Sequence, residues 1–171
     1  LMPDGYYGRN EVYHPEADLD SKSFVKYNDN FFYGNGDLAW EVIKDLKVTG
    51  QVGYTFGVSE TRTFLATYPV TETYGITVNT LNNSWAKSNR LTLQALVEYS
   101  KTFKNHYFHL LGGVSSQSYN YNDISAYRNR FPNNEITQIN AGATAQATNG
   151  GTAAANKLAS YFGRLNYNYQ E

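Results

Sequence analysis

The chain of 171 residues contains no cysteine, which excludes disulfide frameworks, thiolate metal sites and cysteine nucleophiles. Charge is scarce. Asp, Glu, Lys and Arg make up 17% of the residues and the net charge is −1, so there is no bulk electrostatic case for nucleic acid or an anionic surface. Methionine occurs once, at Met2. No apolar run approaches the roughly 18 residues of a transmembrane helix; the longest, FHLLGGV at 108–114, is interrupted by His109. The opening LMPDGYYGRN does not read as a secretory leader, lacking a basic segment followed by an apolar core. None of these absences touches a transmembrane β-strand, whose hydropathy is diluted by the polar residues on its other face.

What is abundant is tyrosine, with 16 residues, alongside asparagine, threonine, serine and glycine. This composition suits β-structure with long polar connections and does not suit a helical bundle. Residues 1–30 are polar, with Pro3, Gly5, Gly8 and Pro15, and read as a loop. Period-two alternation then predicts strands over about 31–43, 46–64, 86–102, 106–122 and 158–169. The clearest is the second, where Val48, Val52, Tyr54, Phe56 and Val58 alternate with Lys47, Thr49, Gln51, Thr55 and Ser59.

The connections are asymmetric. KDL (44–46) and FKNH (103–106) are short hairpin links, whereas about 65–85 and 123–156 read as long loops. Outer-membrane barrels have short periplasmic turns and long extracellular loops. The strands also exceed the roughly 9–11 residues that a tilted strand needs to cross the hydrocarbon layer. In-strand charges (Asp37, Glu41, Glu98, Arg164) fall on the polar faces, where a charge meets water instead of costing about 2–4 kcal/mol at the lipid midplane. The expected fold is therefore all-β: an antiparallel up-and-down meander of five long strands, one stretch of a transmembrane β-barrel wall. A soluble β-sandwich is the alternative, since its strands alternate too.

That reading assigns faces. Trp40, Val52, Tyr54, Phe56, Leu93, Val97, Tyr99, Phe108, Leu110, Tyr161, Leu165 and Tyr167 are expected toward lipid or in its aromatic girdle. Asp37, Glu41, Gln94, Glu98, His109, Arg164 and Asn166 are expected toward a water-filled lumen. Leu96, Leu111 and Phe162 break the pattern by falling on the polar face. Tyr119, Tyr121, Tyr127, Arg128 and Arg130, where the fourth strand leaves the membrane, are candidate contacts for a substrate or a lid. Tyrosines there would stack on a ligand and arginines would grip polar groups.

The motifs SYFGRLNYNYQE (160–171), GNGDLAWEVIKDLKVTGQVGYTF (34–56), LVEYSKTFKNHYFHLLGGVSSQSYNY (96–121) and FPNNEITQINAG (131–142) occur in one order. Together they resemble barrel strands and loops of SusC/RagA-type TonB-dependent outer-membrane transporters. The resemblance covers most of 30–171 and implies a barrel of roughly 22 strands, of which this chain would be an internal piece. It also implies the partners: the remaining strands and plug of the same transporter, a SusD-like surface lipoprotein, TonB acting through a region absent here, an oligosaccharide or peptide substrate, and the lipid bilayer. The implied location is the outer membrane of a Gram-negative bacterium.

Catalysis is not expected, and neither is a metal or cofactor. His106 and His109 are three apart, which puts them on opposite faces of a strand. H-E-x-x-H, G-x-S-x-G, P-loop and GxGxxG patterns are missing. DLDSK (18–22) lacks the glycine and terminal glutamate of an EF-hand loop. Asp37 and Glu41 would sit roughly 13 Å apart along one strand face, too far for a glycosidase pair. Two other function classes fit the pattern: a soluble secreted β-domain that binds carbohydrate through surface aromatics, and an assembly subunit joined through open sheet edges.

Overall fold

The computed structural model describes residues 2, 4–8 and 14–170. Of the polar stretch expected over 1–30, residues 1, 3 and 9–13 lie outside the described residues, as does Glu171. A short helix, α1 (Pro15–Asp20), is followed by β1 (Phe24–Ile43), β2 (Leu46–Leu65), β3 (Tyr68–Pro69) and β4 (Gly75–Ile76). Then come β5 (Thr80–Phe103), β6 (His106–Asn129), a single 3-10 turn (Ile139–Ala141) and β7 (Ala143–Tyr169). Among the described residues no helix is long and apolar enough to cross a membrane.

The five long strands form one antiparallel meander in the order β1-β2-β5-β6-β7. The two tight links are two-residue turns, Lys44–Asp45 and Lys104–Asn105, each with one residue in the left-handed region (Asp45 φ 69°, Lys104 φ 53°). A separate small ladder pairs Tyr68 with Ile76 and Pro69 with Gly75.

The strands are longer than alternation predicts. β1 starts at Phe24 where about 31 was expected, β5 at Thr80 where about 86 was expected, and β6 runs to Asn129 instead of about 122. The largest departure is β7, which begins at Ala143, so most of the low-complexity run read as loop is strand. Helix α1 likewise stands inside the stretch read as loop. The reason is physical: ladder hydrogen bonds come from the backbone, so a strand of small and polar residues forms without large apolar side chains to announce it.

Contacts divide the chain into two compact units, and the long strands contribute to both. The first comprises Leu1–Asp29, Val58–Ala86 and Asp123–Thr152. It holds the buried cluster Phe64, Ala66, Leu81 and Phe131, with Phe24, Ile139 and Ala141 packed against it. Phe24 stacks on Phe64 at 5.6 Å, and Phe131 meets Phe64 edge-on at 5.8 Å.

The second unit comprises Asn30–Gly57, Lys87–Asn122 and Ala153–Glu171, and it has no comparable core among the described residues. Its edge strands are held by aromatic rings laid over glycines. A Cβ on Gly57 of β2 would come within 2.8 Å of Phe31 Cε1 from β1. A Cβ on Gly113 of β6 would lie 2.5 Å from Phe162 Cε2 of β7 and 2.8 Å from Leu96 Cδ2 of β5. Phe162 and Leu96, which break the alternation, thus meet over the one residue that leaves room for them. An aromatic covering a cross-strand glycine pins the register of the pair.

Candidate functional site

The second unit consists of two unlike faces. Along the inner strands β5 and β6, Leu93 (48% exposed), Val97 (46%) and Leu110 (50%) stand out in the open. Thr92, Gln94, Glu98 and His109, which alternate with them, are half-buried. This inverts the arrangement of a water-soluble sheet, which buries its apolar face. Burying a Val, Leu or Phe side chain is worth about 1.5–3 kcal/mol, so a continuous exposed face of them marks an interaction surface.

At its short-turn end the apolar face carries an aromatic cluster. The ring of His106 lies 5.0 Å from that of Tyr169, and its Nδ1 is 2.8 Å from the Tyr167 hydroxyl. Phe108 packs on Tyr167 at 5.1 Å. Trp40 and Tyr161, on the edge strands, are 67% and 82% exposed. Farther along, the Lys87 ammonium sits 5.5 Å above the Phe56 ring.

The polar face holds a hollow of about 390 Å³. Asp37 and Gln94 both line it, with Asn35, Gln51, Arg90 and Gln117. The Arg90 guanidinium is stacked over the Tyr119 ring at 5.4 Å. Amide, hydroxyl, carboxylate and guanidinium groups thus converge on one surface, and the hollow offers hydrogen bonds of both senses. By the strand alternation Glu41, Arg164 and Asn166 belong to the same face; all three are exposed on the edge strands β1 and β7.

The five residues expected as ligand contacts are divided between the two units. Tyr119 and Tyr121 belong to the second unit; Tyr127, Arg128 and Arg130 belong to the first. Arg128 donates from Nη1 to the carbonyls of Asn140 (3.2 Å) and Gly142 (3.1 Å), which ties it to the 3-10 turn. Arg130 is exposed, has φ 55°, and its backbone N–H donates to the Asn79 carbonyl at 3.0 Å.

The first unit is organised by residues that alternation does not single out. The Asn79 side chain donates to the carbonyls of Phe131 (3.2 Å) and Asn133 (3.3 Å) and accepts from the Phe131 N–H at 2.7 Å. Asn134 accepts from the Thr67 N–H at 3.0 Å and donates to its carbonyl at 2.8 Å. Arg62 donates to the Thr137 carbonyl at 2.7 Å. Asn133 accepts from the N–H groups of Glu135 and Ile136, both at 2.9 Å, the local turn that the FPNN tetrapeptide could have signalled. The long connection after β6 is thereby fixed onto β2, β5 and the segment between them.

No protein-family profile and no curated protein matches the chain. Solved structures do. The RagAB peptide transporter superposes with a TM-score of 0.79 at 16% identity, over 88% of this chain and 17% of that one. The RagAB peptide importer in its "closed-closed" state gives 0.78 at 16% identity, and in its "open-open" state 0.78 at 18%, each with the same coverage of 88% and 17%. At such identities the likeness is one of fold, and it agrees with the resemblance drawn from the four sequence motifs. The chain has the architecture of a stretch of a RagAB transporter chain, and it spans only 17% of that chain's length.

Proposed function

We propose that the chain is a length of barrel wall in a TonB-dependent outer-membrane importer for peptides or oligosaccharides, working with a SusD-like surface lipoprotein. The observation that supports this most is the inverted sheet: apolar residues exposed, polar residues half-buried, on strands of 20 to 27 residues. On β5 the outward apolar run Leu91–Tyr99 has the roughly 9–11-residue length of a membrane crossing. Lysines close it on both sides. Lys87 and Lys101 are 14 residues apart, about 48 Å along the strand and about 36 Å vertically at a tilt near 40°. In this reading Leu93, Val97, Leu110, Leu165 and their neighbours face lipid, and Trp40, Tyr99 and Tyr167 join the girdle. Asp37, Gln94, Glu98, His109 and Arg164 line the lumen. In the first unit, Tyr127 and Arg130 are proposed as contacts for a lid or substrate.

The absence of cysteine makes the test direct. Single cysteines placed at positions 92 to 98 of β5 in the full-length protein in membranes are probed with a water-soluble maleimide. Labelling is expected at 92, 94, 96 and 98 and not at 93, 95 and 97. Uniform labelling, or a protein that is monomeric and folded in plain buffer, would favour the soluble carbohydrate-binding domain instead.

A further inference from the structure

The lipid-facing wall of a barrel is convex around its circumference, yet the apolar face here contains a hollow of about 790 Å³. It crosses all five long strands. Gly36, Gly50, Ala95 and Ala159 form its floor by withholding side chains, and Leu38 and Tyr161 stand at its two sides on β1 and β7. The polar lining residues Asp37, Gln51 and Gln94 alternate to the opposite face. Ser115 alternates away as well, and of the lining residues on the apolar face only Ser116 and Tyr161 carry a polar group, one hydroxyl each, so the recess suits hydrocarbon. Its volume lies within the roughly 300–1,000 Å³ of built small-molecule sites.

Polar groups border the hollow toward the long connections; at the other end the cation on the same face, Lys101, is already paired with Asp45 at 2.9 Å. Lys157 lies two residues before Ala159 on the same face of β7, about 7 Å along the strand. Four residues before Leu93, Asn89 accepts a hydrogen bond from Asn120 Nδ2 at 3.0 Å across β5 and β6. Lys87 follows two residues farther out, over Phe56. Neither lysine has a carboxylate partner among the described residues. Cations and an amide pair above an apolar recess match an anionic head above hydrocarbon tails.

We propose that this hollow is a built site for one phosphate-bearing membrane lipid, its acyl chains in the recess and its phosphate at Lys157 and Lys87. The proposal rests on the membrane-wall reading above. Gly36 and Gly50 are then small because a chain lies on them, and Lys157 supplies the charge that makes the lipid specific.

The full-length protein is extracted from its own membrane in mild detergent and gel-filtered, and bound lipid is counted by organic phosphate and by native mass spectrometry. The wild type is expected to retain the lipid. Lys157→Glu leaves the recess intact and should lower retention by about five-fold, since a basic residue near an anionic head is worth about 1 kcal/mol and the reversal exceeds that. Gly50→Leu with Ala159→Leu, which fills the recess, should lower it comparably, and Lys47→Glu on the opposite face should not. Unchanged retention in either test variant overturns the proposal. So does a filled recess that keeps its lipid but shifts the oligomeric state, which would make a second copy the occupant. A wild type found in the membrane without lipid sinks the lipid site alone; a wild type found in the soluble fraction sinks the membrane reading itself.

Discussion

Replacing Gly113 with alanine puts a methyl group 2.5 Å from Phe162 Cε2 and 2.8 Å from Leu96 Cδ2. The leucine methyl ends a flexible side chain and can rotate away, but the ring is bound to an edge strand and must lift. Overpacking of this kind costs about 1–3 kcal/mol. Against it stands about 0.5–1 kcal/mol gained when alanine replaces glycine at a conformation it tolerates. The net expectation for Gly113→Ala is a loss of about 1.5 kcal/mol. Phe162 is 41% exposed, so Phe162→Ala alone forfeits about 1–2 kcal/mol of partial burial. In the Phe162→Ala background the clash is gone and Gly113→Ala should become neutral to stabilising by about 0.5 kcal/mol. The cycle therefore predicts a coupling of about 2 kcal/mol between the two positions. Urea unfolding of the full-length protein, with midpoints converted through a common slope, measures it. Two substitutions that add to within about 0.5 kcal/mol would show that the ring does not sit over the glycine.

Two further outcomes test other parts of the molecule. Asn79→Ala leaves the buried Phe131 N–H without its acceptor, at about 1–3 kcal/mol for the orphaned group; limited proteolysis should then cut between 130 and 142, where the wild type resists. Tyr7 donates to Asp20 at 3.0 Å, and partial desolvation, then that bond, then the charges of Asp20 and Glu16, raise its pKa above the usual 10.0. The fold favours the neutral phenol, so this contribution is full below the ordinary value and lost as pH rises through the raised one. The phenolate absorbance difference between wild type and Tyr7→Phe should titrate late, and Asp20→Asn should bring it earlier.

The parts of the fold legible in the sequence are those where the two faces of a strand meet different media. Val52, Tyr54 and Phe56 announce β2 because their neighbours are polar, and the KDL link announces its turn. Over Ala143–Asn156 of β7 the side chains are mostly small, with six alanines, three threonines and two glycines, so no large apolar residue marks a face and the backbone ladder makes the strand. Two exceptions to alternation share one cause: Leu96 and Phe162 meet at Gly113, and the three residues lie on three strands that no local window contains. The same limit hid the clasp, because Asn79 and Phe131 are 52 residues apart. Nor does residue type announce that Arg128 donates to two carbonyls of the segment before β7.

The strand order β1-β2-β5-β6-β7 has a kinetic corollary. Every long strand pairs with the long strand before it, so each ladder can close as soon as its second strand is made. The β1-β2 and β5-β6 ladders close over the two-residue turns at Lys44–Asp45 and Lys104–Asn105, and β2-β5 and β6-β7 over the longer connections 66–79 and 130–142, at a loop-closure cost that grows only slowly with length. All-β topologies usually fold slowly because partners wait for distant sequence. A purely sequential meander avoids that wait and grows from either hairpin outward.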